Sequence, residues 1–213
     1  MNTFIWTYHR NKFDFVNLEE SVVAIEDIAY HLSAIPRFTG AINTNFSCSV
    51  AEHSLRCAIY AEEVLGVEKS ILPHYLLHDA AEAYMNDIAT PVKALIPQYK
   101  ELEQKVQDII MRKLGLWDEE WLYTHPQHDL CKRVDHIALI YEGRFYTTAQ
   151  EWPERFRVEQ EEWNISDKDL DDMFDIDMHK VSAAFHTSRK FVAERFIAWY
   201  TRFRFTGHAE SAV

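Results

Sequence analysis

Four titratable side chains are concentrated in residues 76–87, which read Leu-Leu-His-Asp-Ala-Ala-Glu-Ala-Tyr-Met-Asn-Asp. His78 and Asp79 are adjacent, Glu82 follows His78 by four residues, and Asp87 closes the stretch. The residues between them are mainly apolar, and burying ionisable groups among apolar neighbours costs several kcal/mol unless something compensates. A bound metal ion is a common compensation, so we expect this stretch to hold a divalent metal and hydrolyse a phosphate ester.

Two further residues complete a possible ligand set. His53 lies near the start of a predicted helix, and Asp135 lies among apolar neighbours in the middle of a later one. With His78 and Asp79 they offer two imidazoles and two carboxylates, which suit Mn, Fe, Co, Ni or Zn better than Ca or Mg. Four protein ligands would leave positions for water and a phosphate oxygen. The alternative interpretation is a structural polar cluster that binds no metal.

Two acidic residues near the expected ligands could move protons. Glu82 lies one helical turn after His78, so it could orient the attacking water or support a ligand. Asp87, just past the expected helix end, could exchange a proton with the ester oxygen. Glu82 and Asp87 are therefore the candidate catalytic residues.

Cationic and aromatic residues nearby could bind the substrate. Arg37 precedes Phe38 in a predicted loop; an Arg can bind phosphate through two hydrogen bonds, and an aromatic ring can stack on a base. Taken alone, the two are better explained as a surface charge and a core ring. Thr90 and Pro91 fit the N-cap and first position of a helix, with Lys93 in its first turn, which suits a phosphate group. We expect Arg37 and Lys93 to hold the phosphate.

A second His-Asp pair, His128-Asp129, lies in a polar stretch of the chain. It has no Glu at the offset that Glu82 has from His78, because position 132 is Lys. An Asp near a helix start is explained by the helix dipole alone. We expect this pair to be a surface or helix-capping feature.

Helical periodicity predicts the elements that position these residues. Ser49 and Glu52 fit the S-x-x-E capping box, which predicts that a helix begins near Ser49. Residues 1–20 are expected to be extended or loop, with aromatic anchors, and the acidic residues 150–177 to be a connecting segment. Apolar residues at helical spacing predict the other helices, at residues 25–34, 71–84, 99–114, 129–149 and 178–204.

The composition is that of one soluble globular domain. The chain has 213 residues, 47% apolar and 26% charged, and its 5 Gly and 6 Pro are too few for an all-β protein. A net charge of −12 argues against a nucleic-acid binder. There is no signal-peptide pattern and no apolar run near the roughly 18 residues of a membrane span. Three cysteines without a CxxC pair favour a reducing compartment, so we expect a cytoplasmic protein without membrane or nucleic-acid partners.

Several short motifs resemble the HD-domain metal-dependent phosphohydrolases. They are Ser-Val-Ala-Glu-His-Ser at residues 49–54, His-Asp-Ala-Ala-Glu at 78–82, Asp-Ile-Ala-Thr-Pro-Val-Lys at 87–93, and Asp135. Arg-Phe-Thr-Gly at residues 37–40 is similar to the 5′-deoxynucleotidase-like branch, which includes phage enzymes that remove triphosphate from dATP. The resemblance covers about residues 25–145, and the acidic segment lies outside it.

The resemblance implies an all-α helical bundle, a single HD domain over residues 1–213, that binds one divalent transition metal (Co, Mn, Zn, Ni or Fe). It implies hydrolysis of dNMP to deoxynucleoside and phosphate, or of dNTP to deoxynucleoside and triphosphate, by a homo-oligomer. Other phosphate esters (cyclic dinucleotides, guanosine polyphosphates) and a non-catalytic metal-binding module are the alternatives. Phe38 stands where the monophosphatases of this branch carry Trp, which leaves sugar and base preference open. The implied residues are the metal ligands His53, His78, Asp79 and Asp135, the catalytic Glu82 and Asp87, and the substrate contacts Arg37, Phe38, Thr90 and Lys93.

Overall fold

Helices form most of the chain in the computed structural model, which describes residues 2–43, 48–117, 125–147, 153–181 and 188–206. This confirms the expected all-α fold class. The described helices, in chain order, are α1 (Ile25–Leu32), α2 (Val50–Glu63), α3 (Leu72–Leu76), α4 (Glu82–Met85), α5 (Thr90–Lys93), α6 (Pro97–Lys113), α7 (Pro126–Tyr146), α8 (Pro153–Glu162), α9 (Asp167–Ile176) and α10 (Arg189–Thr206). None of these helices is both long and apolar enough to span a membrane.

Helix α2 runs through the core. Its residues Val50–Ala61 are all buried, and it packs against α3, α7, α9 and α10. The expected capping box is confirmed: Ser49 Oγ accepts from Glu52 N at 3.3 Å, and Ser49 N donates to Glu52 Oε2 at 2.8 Å. A helix buried on every side carries its polar side chains into the interior, so α2 places His53 in the core.

The segment expected to be one helix over residues 71–84 is two short helices, α3 and α4, separated by a turn at residues 77–81. That prediction is wrong. Gln107 of α6 accepts from Ala81 N at 2.9 Å and donates to Leu77 O at 2.7 Å, so a side chain pairs backbone groups that the interrupted helix leaves open. Adjacent residues of a regular helix point about 100° apart, whereas a turn lets adjacent side chains converge.

Helices α6 and α7 follow the helices expected at residues 99–114 and 129–149, with shifted ends. Gly115, with a φ of +68°, follows α6 as expected for a C-terminal stop. Helix α7 begins before the expected start, at Pro126. The sequence between the two predicted helices also indicates a loop that carries Trp121, and residues 118–124 lie outside the described residues.

Helix α5 is a single turn, and its start differs from the expectation. Thr90 is its first residue rather than its N-cap; Ala89 occupies the cap position without a side-chain hydrogen bond. Because the helix macrodipole sums over aligned peptide units, one turn supplies little of the positive end expected to attract phosphate.

The acidic segment expected to be a connection contains two helices, α8 and α9, so that prediction is wrong as well. Ser166 caps α9, and its Oγ accepts from Asp169 N at 3.2 Å. Leu170, Met173 and Ile176 repeat every three residues along α9 and are buried. The many carboxylates on the other faces concealed this apolar stripe.

The C-terminal part of the chain also differs from the expectation. The helix expected over residues 178–204 is α10, which begins at Arg189 after a π-helical turn at Asp177–Val181. Residues 182–187 of the expected helix lie outside the described residues. These bounds shorten the expected helix at its N-terminal end.

An N-terminal hairpin pairs β1 (Phe4–Trp6) with β2 (Lys12–Asp14) in antiparallel register. Phe13 anchors it, fully buried and stacked on Tyr84 with ring centroids 3.9 Å apart. Trp6 and Tyr8, expected as anchors, are 64% and 55% exposed. The buried carboxylate of Asp27 joins the hairpin to α1 by accepting hydrogen bonds from Thr7, His9 and Asn11.

Candidate metal centre

The four expected metal ligands come from three elements and meet at one point. His53 projects from α2, His78 and Asp79 from the turn between α3 and α4, and Asp135 from α7. His53 Nε2 lies 3.2 Å from His78 Nε2 and 3.0 Å from Asp135 Oδ1, and His78 Nε2 lies 3.2 Å from Asp79 Oδ2. Donor atoms at about 2.1 Å from one metal are ~3 Å apart when they subtend a right angle. The spacing of these four atoms therefore fits one ion.

The hydrogen bonds of the two imidazoles favour a proton or a metal ion between their Nε2 atoms. His78 Nδ1 lies 2.8 Å from the Tyr75 carbonyl oxygen, and His53 Nδ1 lies 3.0 Å from Glu142 Oε1. Both oxygens accept hydrogen bonds, so both Nδ1 atoms donate, and in a neutral imidazole the Nε2 atom then carries a lone pair. Two lone pairs facing each other at 3.2 Å, beside two carboxylate oxygens, repel unless a proton or metal ion lies between them.

Cys57 adds a sulfur atom beside the two histidines, which the sequence reasoning did not include. Its Sγ lies 3.8 Å from His53 Nε2, and donor atoms of Cys57, His53 and His78 all lie within 4.8 Å of one another. Burial, with the negative charge of Asp135 and Glu142, raises the pKa of the Cys57 thiol well above its usual value. Its position four residues after His53, one turn along α2, is the signal that could have identified it.

Glu142 bonds to His53 on the side away from the cluster, and the sequence reasoning did not include it either. Its Oε1 accepts from His53 Nδ1 at 3.0 Å and from Arg56 Nη1 at 2.9 Å, and its Oε2 accepts from Arg37 Nε at 3.1 Å. Burial opposes ionisation, but the positive charges of His53 and Arg37 outweigh it and hold the pKa of Glu142 well below its usual value. Glu142 lies seven residues after Asp135, on the same face of α7, and that spacing was visible in the sequence.

Arg37 brings a positive charge to the edge of the cluster. Its Nη1 lies 3.9 Å from Asp79 Oδ2, and its backbone N donates to Cys48 O at 2.9 Å. Phe38 and Thr39 both have a φ of +53°, a left-handed conformation that costs energy for side chains of these types. The guanidinium carbon lies 5.7 Å from the centroid of the Phe38 ring. The arrangement fixes a buried cation beside Asp79, one of the expected metal ligands.

Glu82 lies next to the cluster as a buried acid. Burial and the charges of Asp79 and Asp87 raise its pKa to about 9, so it holds a proton at neutral pH when no metal is bound. Lys93 Nζ lies 3.5 Å from Glu82 Oε1 and 2.7 Å from Glu103 Oε1. Among the described residues, Glu82 Oε2 has no hydrogen-bond partner. A protonated carboxyl with one open oxygen can exchange a proton with a bound molecule.

The expected substrate residues line two separate cavities. One, of about 320 Å³, is lined by Arg37, Phe38, Asp87 and Thr90. A second, of about 170 Å³, is lined by the expected ligands His78 and Asp79 together with Glu82 and Lys93. The expected substrate contacts therefore divide between two openings, with Lys93 separated from the other three.

The second His-Asp pair lies outside this cluster. His128 Nδ1 and Asp129 Oδ1 are 3.9 Å apart in the first turn of α7, and the Asp129 side chain is 89% exposed. The expectation of a surface feature at a helix start is confirmed for Asp129.

Comparison with known proteins places this architecture in a family. The family profile described as "HD domain" matches residues 35–175. A protein from Escherichia coli (strain K12), named uncharacterized protein YfdR, is 36% identical over 114 residues, 54% of this chain and 60% of its own length. Uncharacterized protein RCAP_rcc00048 of Rhodobacter capsulatus is 36% identical over 96 residues, 44% of this chain and 49% of its own length. The matches thus span about half to three fifths of these relatives.

Proposed function

Because the chain belongs to the HD-domain family, whose members are generally metal-dependent phosphohydrolases, we propose that it hydrolyses 2′-deoxynucleotides. The observation that carries the proposal is the convergence of two imidazole Nε2 atoms and two carboxylates beside the buried Arg37 guanidinium. A nitrogen and oxygen donor set suits a borderline divalent metal, and the adjacent cation suits a phosphate oxygen. This combination is what phosphate-ester hydrolysis requires.

His53, His78, Asp79 and Asp135 would hold the metal, either Co, Mn, Zn, Ni or Fe. When bound, such an ion acidifies a coordinated water and polarises a phosphoryl oxygen. Glu82 would orient that water, since its carboxyl lies beside the ligands and has an oxygen open to a new partner.

In the proposed reaction a water oxygen bonds to the α-phosphorus and the bond from phosphorus to the 5′ oxygen breaks. The attacking water gives up a proton as it bonds to phosphorus, and the 5′ oxygen takes up a proton as it leaves; Asp87 would pass a proton to the 5′ oxygen. Arg37 and Lys93 would hold the phosphate, and Phe38 and Thr90 would contact the sugar side of the substrate. The same bond breaks in a monophosphate, which releases phosphate, and in a triphosphate, which releases triphosphate.

We also propose that the protein acts in the cytoplasm as a homo-oligomer, without nucleic-acid or membrane partners. The net charge of −12 supports the exclusion of nucleic acid, because a polyanion would be repelled. Gel filtration with light scattering tests the oligomer, and a monomer at micromolar concentration would contradict it.

The test of activity is a substrate panel. Protein loaded with Co or Mn is incubated with the dNMPs and dNTPs, a cyclic dinucleotide and a guanosine polyphosphate, and the products are identified by chromatography. We expect turnover of deoxynucleotides and none after removal of metal by EDTA. Hydrolysis of the other esters alone would reassign the substrate, and metal binding without any turnover would indicate a non-catalytic module.

A further inference from the structure

A third cavity opens beside the metal centre and has no role in the reaction described above. It has a volume of about 220 Å³, and the metal ligands His78 and Asp135 form part of its wall. On α7, Cys131 lines this cavity and Leu139 lines the cavity that contains Arg37. Because Cys131, Asp135 and Leu139 are four residues apart along one helix face, the metal centre lies between the two cavities.

We propose that this third cavity binds the base of the nucleotide, an inference that rests on the proposed function. The apolar part of its wall is formed by Met111 and Cys131, which are buried, and by Leu116 and Trp117, which are half-buried. Pockets that enclose a whole small-molecule ligand usually measure about 300–1,000 Å³. A cavity of about 220 Å³ suits one planar ring system rather than a complete nucleotide.

Trp117 provides a surface on which a base can stack. The guanidinium carbon of Arg112 lies 4.7 Å from the centroid of the Trp117 ring, and Arg112 Nη1 lies 3.3 Å from Glu19 Oε1. The cation therefore holds the ring before any ligand binds. A fixed aromatic ring in a binding site stacks on the π-face of any base, which gives affinity with little sequence or base selectivity.

Polar side chains in the wall of the cavity suit the edge of a base. Gln104 Nε2 donates to Asp108 Oδ1 at 2.8 Å, and both residues line the cavity. Gln107 is held in place by the backbone, because its amide oxygen and nitrogen each bond to a main-chain group. Lys132 lines the cavity together with the carboxylates of Asp108 and Asp135, so the charged groups of the cavity are mixed in sign. An amide and a carboxylate can pair with the polar edge of a base.

The test compares two substrates that share phosphate and sugar and differ in the base. These are the 2′-deoxynucleoside monophosphate that the wild-type protein binds best and 2-deoxyribose 5-phosphate. Loss of an aromatic stacking partner weakens binding of a base by about ten-fold or more. We expect Trp117→Ala to raise KM for the nucleotide by about ten-fold and to leave KM for the sugar phosphate within about two-fold. Trp117→Phe should restore most of the difference, and metal content should not change.

Trp199→Ala is the matched control. Trp199 is also half-buried and has an Arg202 guanidinium carbon 4.5 Å from a ring, but it lies on α10, away from the cavity. It should leave KM for both substrates unchanged. The same variants are measured for equilibrium binding of the nucleotide to the cobalt-loaded protein.

The outcomes separate this inference from the proposed function. Turnover by wild-type protein with equal effects of Trp117→Ala on both substrates, or with no effect on either, overturns the base site and leaves the function standing. Absence of turnover with nucleotide binding that Trp117→Ala weakens overturns the function and supports the base site. Absence of both turnover and binding overturns both.

Discussion

The same dipeptide occurs at His78-Asp79 and at His128-Asp129, and the two copies differ in their backbone and neighbours. The first lies in the turn between α3 and α4, where its Asp side chain is 25% exposed and lies 3.2 Å from the adjacent imidazole. The second lies in the first turn of α7, with its Asp side chain 89% exposed and 3.9 Å from the adjacent imidazole. In the first copy, both side chains converge with His53 on one point. The dipeptide becomes a candidate metal site through the turn that presents it and the helix that faces it.

The largest expected difference between the two copies is in metal content. Asp79→Ala removes a donor atom from the cluster, and we expect the purified protein to retain little cobalt or zinc after dialysis, with loss of any hydrolysis. The Asp129→Ala variant should retain the wild-type metal content and the wild-type rate of any hydrolysis. Plasma mass spectrometry measures the bound metal. Equal metal content in the two variants would show that the first pair is no more a ligand than the second.

Glu142, whose carboxylate accepts a hydrogen bond from His53, should account for much of the affinity for metal. Glu142→Gln removes the charge that holds the His53 imidazole, and we expect the Kd for cobalt to rise by about 10–100-fold, as for other groups that orient metal ligands. Titration calorimetry measures the Kd. Glu103→Gln, which alters a carboxylate bonded to Lys93 rather than to a ligand, should change it little. An unchanged Kd for Glu142→Gln would mean that His53 needs no support.

The pKa values of His78 and His128 should be shifted in opposite directions in the metal-free protein. Burial disfavours the His78 cation, but the Asp79 carboxylate overrides it and raises the pKa of His78 to about 10. Burial and Lys132 lower the pKa of His128 below its usual value. At pH 7, a metal ion must therefore displace a proton from His78. Each unit fall in pH should then weaken metal binding about ten-fold per displaced proton.

NMR of the imidazole signals between pH 5 and 10, with and without EDTA, measures both pKa values. Calorimetry in buffers of different ionisation enthalpy counts the released protons. Metal binding without proton release at pH 7 would contradict the assignment for His78.

The smallest effect concerns Asp27, a buried carboxylate that needs no metal. Burial alone would raise its pKa, but hydrogen bonds from Thr7 and Asn11 outweigh it and lower the pKa. The native state therefore binds fewer protons than the unfolded state, and Asp27 contributes stability that is present above about pH 4 and is lost as the pH falls further. Asp27→Asn should lower Tm at pH 7 and reduce the loss of stability below pH 4, with metal content unchanged. Thermal unfolding at pH 7 and pH 3 checks this, and an identical acid response would contradict it.

The sequence predicted those parts of the fold that depend on local patterns. The capping box at Ser49 and Glu52 and the apolar spacing of α1, α2, α6 and α7 depend on neighbours within one or two turns. The break between α3 and α4 does not, because Gln107, from a separate helix, bonds to the turn at both Leu77 and Ala81. Apolar periodicity cannot report a hydrogen bond made by a distant side chain, so the turn was read as continuous helix.

The candidate site shows the same division. The residues at His53, His78, Asp79 and Asp135 were named from their types and helical context, and the structure brings them together. Cys57 and Glu142 were missed, although each lies at a helical spacing from a named ligand. Their participation depends on which helix face meets which, and that is fixed by packing between helices. The sequence supplied the donor atoms, and the tertiary structure supplied the groups that orient them.

Under the proposed function, Glu142 would link metal binding to phosphate binding. One of its oxygens holds a metal ligand and the other holds Arg37, the residue proposed to bind phosphate. An ion that draws the His53 imidazole toward itself changes the bond that the same carboxylate makes to Arg37. Linkage is reciprocal, so the factor by which metal changes the affinity for phosphate would equal the factor by which phosphate changes the affinity for metal. In the proposed reaction each ligand would then act as an effector of the other, and the substrate would alter how long the protein retains its ion.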